Sequence, residues 1–243
     1  MGPWLFRHKA QSSCNRNREA DVASFGNETF DDGNIVFSPY WKSELRQSVK
    51  RAIDIFGAAF LVTVLSPLFL VLAMAVKLDS PGEIFYRWRV MGHGGRPFLS
   101  FKFRSMIRNA DDLKNKLEAR NEMTGPVFKI TGDPRVTATG SWMRRYSLDE
   151  LPQLYSVLKG DMSLVGPRPP LVTEYERFTG YQKQKLSVKP GITGLWQVNG
   201  RNQIHDFDEW VRLDLDYIRR WSLWLDTKIL FRTVTAVVTG SGK

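Results

Sequence analysis

Between Phe56 and Val76 the chain carries 21 consecutive residues without a charge. At about 1.5 Å per residue a helix of that length measures roughly 30 Å, enough to cross a bilayer. A core helix of a soluble domain is disfavoured, because no polar face recurs at helical spacing. Ser66-Pro67 stands at the midpoint of the run. Proline donates no amide hydrogen and clashes with the carbonyl four residues back, here Thr63, so the helix must kink or break. The hydroxyls of Thr63 and Ser66 are the candidates to satisfy the freed backbone groups. Both flanks are basic: Arg46, Lys50 and Arg51 before, Lys77, Arg87 and Arg89 after. Positive charge at both ends favours the same side of a membrane for both. A helix–break–helix that enters and leaves one leaflet satisfies both facts, and a simple span remains the other reading.

The rest of the chain is too polar for a polytopic membrane protein and too apolar for disorder, with 42% hydrophobic residues among 243. Cys14 is the only cysteine, and the histidines are His8, His93 and His205. Disulfides and cysteine zinc sites are thereby excluded, and a histidine zinc site is disfavoured. The formal net charge is +10, and all of the excess lies beyond residue 45. Such a balance suits a polyanionic partner: nucleic acid, a phosphorylated substrate or an anionic membrane. Residues 1–45 are polar and aperiodic, which reads as a flexible tail, and no apolar region follows Arg7 and Lys9 to make a signal peptide.

Residues 46–80 form the anchor with its flanks, and residues 81–243 read as an α/β domain. Glu83 to Trp88 and Pro97 to Phe103 alternate or cluster apolar residues around the turn Met91-Gly92-His93-Gly94-Gly95, which predicts a β-hairpin with an exposed His93. Asn109 to Arg120 predicts a polar helix, Thr131-Gly132-Asp133-Pro134 a turn, and Leu151 to Leu158 a helix closed by Lys159-Gly160. Asp208 to Val238 predicts one or two helices. Their Trp210, Tyr217, Trp221 and Trp224, mixed with Arg212, Arg219, Arg220 and Lys228, fit either core packing or a helix lying among lipid headgroups.

Ser147-Leu148-Asp149-Glu150-Leu151-Pro152 places two acids at a helix start. Ser147 and Glu150 have capping-box spacing, but an N-cap at Ser147 puts Pro152 where an amide hydrogen is wanted. A later start puts Pro152 in the first turn, where it is tolerated. Either way the acids face the positive end of a helix, which stabilises carboxylate and binds phosphate. One carboxylate could then attack phosphorus while its neighbour holds a divalent cation, with Arg144 and Arg145 adding positive charge. Simple helix capping is the other use of such a pair, and the hexapeptide alone leaves both open.

Several stretches together resemble the bacterial sugar transferases, the monotopic phosphoglycosyl transferases. They are Arg51-Ala52-Ile53-Asp54, Ser66-Pro67, Phe101-Lys102-Phe103-Arg104-Ser105-Met106, and Ser147 through Leu154. They continue with Lys159-Gly160-Asp161-Met162-Ser163-Leu164-Val165-Gly166-Pro167-Arg168-Pro169, Lys189-Pro190-Gly191-Ile192-Thr193-Gly194 and Gln197-Val198-Asn199-Gly200-Arg201. The resemblance runs from about Val49 to the C-terminus and leaves out residues 1–45.

The resemblance implies a helix-rich α/β (α+β) monotopic protein. A re-entrant anchor broken at Ser66 and Pro67 would carry a small catalytic domain, with a short β-hairpin and interfacial amphipathic helices, on the cytoplasmic face of the bacterial inner membrane. It implies Asp149 as the nucleophile on a UDP-sugar, with release of UMP. Transfer of the phosphosugar to polyprenyl (undecaprenyl) phosphate would then complete a ping-pong sequence. Glu150 matches the partner carboxylate associated with Mg²⁺. Lys102, Arg144, Arg168 and Arg201 match substrate- or phosphate-binding residues, and Asp226 matches a late aspartate in less distinctive surroundings. UDP-galactose and UDP-glucose are the expected donors, within an exopolysaccharide or related assembly. Inner-membrane lipids are expected neighbours, and a homo-oligomer stays open. Arg104-Ser105 stands where many members have Lys-Thr, and Trp196 where the residue is often smaller, which bears on specificity.

The cations suit the chemistry: arginine grips phosphate bidentately, and prolines on both sides of Arg168 restrict its backbone. A nucleic-acid-binding protein would also be basic, but it has no reason for the uncharged run and no nucleic-acid motif is found. A membrane scaffold would need the anchor and not Asp149-Glu150.

Overall fold

The computed structural model describes residues 37–200 and 203–240. Helix α1 (Glu44–Val64) starts at Ser43, whose hydroxyl accepts from the Arg46 amide, and has Glu44 in its first turn. It ends at Leu65, and α2 (Ser66–Asp79) begins at once with Pro67 in its first turn, a position where the missing amide hydrogen costs nothing. Ser66 Oγ donates to the Thr63 carbonyl at 2.8 Å, the acceptor that proline leaves idle, and Thr63 Oγ1 bonds back to Ala59. The two helices meet at a bend of 63°. Among the described residues no single helix is long and apolar enough to cross a membrane; α1 and α2 reach that length and hydrophobicity only as this bent pair.

The hairpin is β1 (Phe85–Met91) and β2 (Pro97–Phe103), antiparallel with Tyr86 opposite Lys102 and Trp88 opposite Ser100. His93 is exposed in its turn, as expected. Short helices follow: α3 (Ala110–Lys114), extended to Arg120 by a 3-10 segment, and α4 (Ala138–Arg145). The predicted helix Leu151–Leu158 is a 3-10 turn over Leu148–Gln153 that passes into α5 (Leu154–Lys159). Pro152 has no amide hydrogen for α-helical bonding, so the tighter turn precedes it. Gly160, in the left-handed region at φ 96°, closes α5.

Strand β3 (Ser163–Val165) pairs in parallel with β4 (Gly191–Thr193), where Gly166 and Gly191 bring two backbones too close for a side chain. The short helices α6 (Val172–Tyr175), α7 (Gly180–Lys183) and α8 (Leu195–Val198) fill the connections. Two long helices, α9 (Phe207–Arg220) and α10 (Leu223–Thr239), end the described chain, split at Trp221-Ser222.

The main core joins Leu154, Val157, Met162 and Leu164 to Val211, Leu215, Ile218, Trp221 and Ile229. Each such side chain, fully buried, contributes about 1.5–3 kcal/mol. Tyr217 and Trp221 therefore belong to the core, while Trp224 is 66% exposed. A second cluster packs Leu72 and Val76 of α2 on Phe103 and Met143.

Contacts cross the boundaries expected for tail and anchor. Residues 1–36 lie outside the described residues, but order begins before residue 45. Ser38 Oγ donates to the Trp221 carbonyl at 2.8 Å, and Trp41 stacks on Trp221 with ring centroids 4.1 Å apart. The first half of α1 is likewise built into the rest of the chain. Lys50, Asp54 and Ala58 recur every four residues on one buried face, and Asp54 accepts from both Ser163 Oγ and the Leu164 amide at 2.9 Å. Arg51 donates to the Val157 and Leu158 carbonyls at the end of α5. The opposite face leaves Val49, Ile53, Phe56, Phe60 and Val64 exposed, and α2 exposes Leu70, Val71, Met74 and Leu78.

Candidate active site

The hairpin, α4 and the loops after β3 enclose a cavity of about 1760 Å³. Lys102, Arg144, Asp149, Glu150 and Arg168 all line it. Five of the residues singled out from sequence are thereby brought together. Ser66 and Pro67 sit at the helix break, as expected. Arg201 lies outside the described residues.

Asp149 and Glu150 reach the cavity through an unusual backbone. Ser147 has φ 54° and ψ 22°, and among the described residues it is the one non-glycine with positive φ. Its side chain makes no cap hydrogen bond, so the capping-box spacing is not used, in line with the objection raised by Pro152; the Glu150 amide donates to the Ser147 carbonyl at 3.3 Å. The left-handed residue ends α4 and turns the chain into the 3-10 segment within two residues. Both acids are buried, at 8% and 6% exposure. Left-handed backbone at a serine costs of order 1–2 kcal/mol and persists only when surrounding contacts hold it.

Cations face this pair from three elements. Strand β2 supplies Lys102, whose Nζ donates to Glu150 Oε1 at 2.7 Å and lies 4.1 Å from the Trp88 ring centroid. Burial presses the Lys102 ammonium below its ordinary value, with Glu150 opposing and Arg168 reinforcing the shift. Arg168 places Nη1 3.6 Å from Glu150 Oε1. Arg144 donates through Nε to Ser105 Oγ at 2.8 Å; burial also lowers its affinity for its proton, against the pull of Asp149 and Asp133.

The Arg168 segment is fixed along its length. The Gly166 amide donates to Thr193, the Gly191 amide to Pro167 and the Met91 amide to Pro170, each at 2.9 Å. Val165, just upstream, accepts at its carbonyl from Lys50 Nζ at 3.1 Å, with Tyr217 Oη, whose one proton also serves Asp226, at the same distance.

Asp226 is elsewhere. It does not line this cavity but is buried behind it, accepting from Lys50 Nζ at 2.6 Å, Tyr217 Oη at 2.8 Å and Trp221 Nε1 at 3.1 Å. With its oxygens committed to these donors, it braces Lys50 and Tyr217, and through them Val165. Sequence matching could not separate a bracing aspartate from a binding one. Lys50 was visible only as a flanking charge, Ser105 only as the hydroxyl kept where many family members have Lys-Thr, and Trp88 only as part of the predicted first strand.

Oxygen donors and few ligands suit Mg²⁺, which takes one or two carboxylates and completes its shell with phosphate and water. Asp149 and Glu150 fit that pattern. Among the described residues no group of three or more acidic, histidine or cysteine side chains is placed to hold a metal unaided. A buried carboxylate with a second beside it, faced by Lys102, Arg144 and Arg168, can bind a phosphorylated ligand and attack its phosphorus.

A family model described as bacterial sugar transferase matches residues 45–240. The chain is 44% identical to the galactosyl transferase CpsE of Streptococcus agalactiae, over 93% of this chain and 52% of that protein. It is 43% identical to the undecaprenyl-phosphate galactose phosphotransferase of Salmonella typhimurium, over 80% of this chain and 41% of that protein. Against the exopolysaccharide production protein ExoY of Sinorhizobium fredii it is 41% identical, over 79% of this chain and 87% of that protein. The chain thus spans about half the length or less of the first two relatives and most of the third. A match over residues 45–240, which takes in the bent helix pair and every described residue of the cationic cavity, leaves one assignment: the chain belongs to the bacterial sugar transferase family.

Proposed function

We propose that the protein transfers a hexose-1-phosphate from a UDP-sugar to undecaprenyl phosphate, releasing UMP, through a covalent intermediate on Asp149. The observation that carries this reading is the buried Asp149-Glu150 pair lining one cavity with Lys102, Arg144 and Arg168. Relatives are named for transfer of galactose, glucose or N-acetylgalactosamine phosphate to undecaprenyl phosphate, which supports the acceptor. UDP-galactose and UDP-glucose are the preferred donors.

In the first step an Asp149 carboxylate oxygen forms a bond to the sugar-bearing phosphorus. The bond from that phosphorus to the bridging oxygen breaks, and the oxygen leaves with UMP. In the second step a phosphate oxygen of the acceptor bonds to the same phosphorus and the Asp149–phosphorus bond breaks. The carboxylate is restored and polyprenyl-diphospho-sugar departs. Lys102 and Arg168 lie on the Glu150 side and offset the charge that gathers as two anions meet. Arg144, anchored on Ser105, adds a third positive charge. Glu150, with Asp149, would hold Mg²⁺, which when bound neutralises diphosphate charge.

The acceptor's isoprenoid chain stays in lipid, so the cavity must stand at headgroup height. The 63° bend and the exposed apolar faces of α1 and α2 support a re-entrant anchor in the inner leaflet, with the catalytic unit on the cytoplasmic face. On α10 the exposed Trp224, Phe231, Val234 and Val238, interspersed with Lys228 and Arg232, suit a helix resting among headgroups.

Solubilised protein given a UDP-sugar and polyprenyl phosphate should release UMP, and Asp149→Asn should release none. Labelled donor without acceptor should leave label on the wild-type chain. Turnover by Asp149→Asn, or an unlabelled wild type, overturns the mechanism. In a Cys14→Ser background, cysteines placed before Arg46 and after Lys77 should react with impermeant reagent from the same face.

A further inference from the structure

We infer that Trp196 and Trp210 form the wall against which the donor's hexose rests, and that Trp196 decides which hexose is accepted. This rests on the reading of Asp149 and Arg168 given under Proposed function. The two indoles pack with ring centroids 4.0 Å apart and planes 32° apart, and both line the cavity that holds the acidic pair. Arg168 connects them to the reaction centre: its guanidinium carbon is 6.0 Å from the Trp196 centroid and 5.9 Å from that of Trp210, while Nη1 is 3.6 Å from Glu150. A phosphate gripped by Arg168 and presented to Asp149 carries its sugar one bond away, so the ring it bears falls within reach of the indoles.

The wall is rigid. Beneath it Lys185 and Asp214 make a 2.6 Å ion pair with both side chains 1% exposed, and Lys185 Nζ lies 5.0 Å from the Trp210 ring centroid. A pair so deeply buried tolerates little displacement of its partners, and the indole above it is held with them. Preorganised aromatic surface is what a sugar needs: its C–H face packs on the rings while its hydroxyls seek polar partners. Trp196 is 5% exposed, and its indole N–H has no acceptor among the described residues. A donor-only group of this kind discriminates between ligands that bring an oxygen to it and ligands that do not.

The opposite stretch of the cavity differs in kind. There Phe128 is approached by Lys114 at 5.4 Å and Arg135 at 5.2 Å, a cationic aromatic setting that suits the nucleotide end.

The test is binding of UDP, UDP-galactose and UDP-glucose to the full chain by calorimetry, in Asp149→Asn and in that variant carrying Trp196→Phe, Trp196→Leu or Trp210→Phe. Without the nucleophile the donor stays intact, so binding is read apart from the covalent step. Trp196→Leu should weaken both UDP-hexoses by about tenfold, equivalent to ~1.4 kcal/mol, and leave UDP unchanged. Trp196→Phe, which keeps an aromatic ring and loses the N–H, should alter the galactose-to-glucose ratio. Equal weakening of UDP and UDP-hexose, or no change in any, overturns the proposal. So does a rise confined to the KM for polyprenyl phosphate, which would assign the wall to the acceptor. Failure of UMP release by wild type, with the hexose-selective binding loss intact, would instead reject the proposed reaction and keep the subsite.

Discussion

Lys50 and Asp226, 176 residues apart in sequence, meet at 2.6 Å with both side chains 10% exposed. The pair ties the first half of α1 to the start of α10, and both Lys50 and the Asp226 partner Tyr217 reach the Val165 carbonyl. Three residues later stands Arg168. Asp226 thus holds the groups that brace Val165, at the end of the strand that leads into the arginine's loop.

Removing one member of such a pair strands a buried charge. Asp226→Asn is expected to cost about 3–5 kcal/mol of stability. UMP release should fall with it, through kcat rather than donor KM. The double variant Lys50→Met, Asp226→Leu should recover most of the melting temperature without recovering activity. Recovery of both would reduce the pair to a structural tie.

Ser147 carries the backbone strain beside the acids. Ser147→Gly removes the Cβ penalty and should leave the melting temperature level or raise it, by ~1 kcal/mol at most. Ser147→Val should destabilise by about 1–2 kcal/mol and depress UMP release, since a β-branched side chain resists φ near +54°. Thermal melts with parallel UMP assays decide it; equal behaviour of the two variants would mean the turn is not under strain.

Burial pushes Asp214 up to about 6, against the pull of Lys185. An unfolded aspartate titrates near ~3.9. Between about pH 4 and pH 6 the folded chain therefore retains a proton that the unfolded chain has released. This group's contribution to stability declines as pH rises through that window and is level above it. Melting temperatures of wild type and Asp214→Asn across pH 4–7 should show the wild-type advantage shrinking as pH rises. An advantage that grows with pH would show the carboxylate depressed by Lys185 instead.

What could be read from residue order was what local chemistry dictates. Alternation and a glycine turn gave the hairpin, a proline in an apolar run gave the bend, and Ser66 was found at the freed Thr63 carbonyl, while the Thr63 hydroxyl bonds back to Ala59 instead. The turn at Ser147 stayed hidden because capping-box spacing describes side chains and says nothing of φ. Asp226 misled because a motif match carries no contact map: its partner Lys50 is named by the fold alone. The order at Ser38 and Trp41 was invisible for the same reason, since a tryptophan in a polar stretch shows its purpose only once Trp221 is beneath it. The Trp196–Trp210 pair likewise joins a short helix and a long one that nothing in the chain links in advance.

One rod serves two masters in α1: its outward stripe is oily, while its inward rungs Lys50, Arg51 and Asp54 are fastenings of the reaction centre's own scaffold. Even inserted as proposed, the α1–α2 pair would be no detachable plug. Trimming the gene at Pro81 would discard the fastenings with the grease. A less oily variant calls for repainting the outer stripe, Val49, Ile53, Phe56 and Phe60 among its positions, with polar residues while every inward rung stays in place.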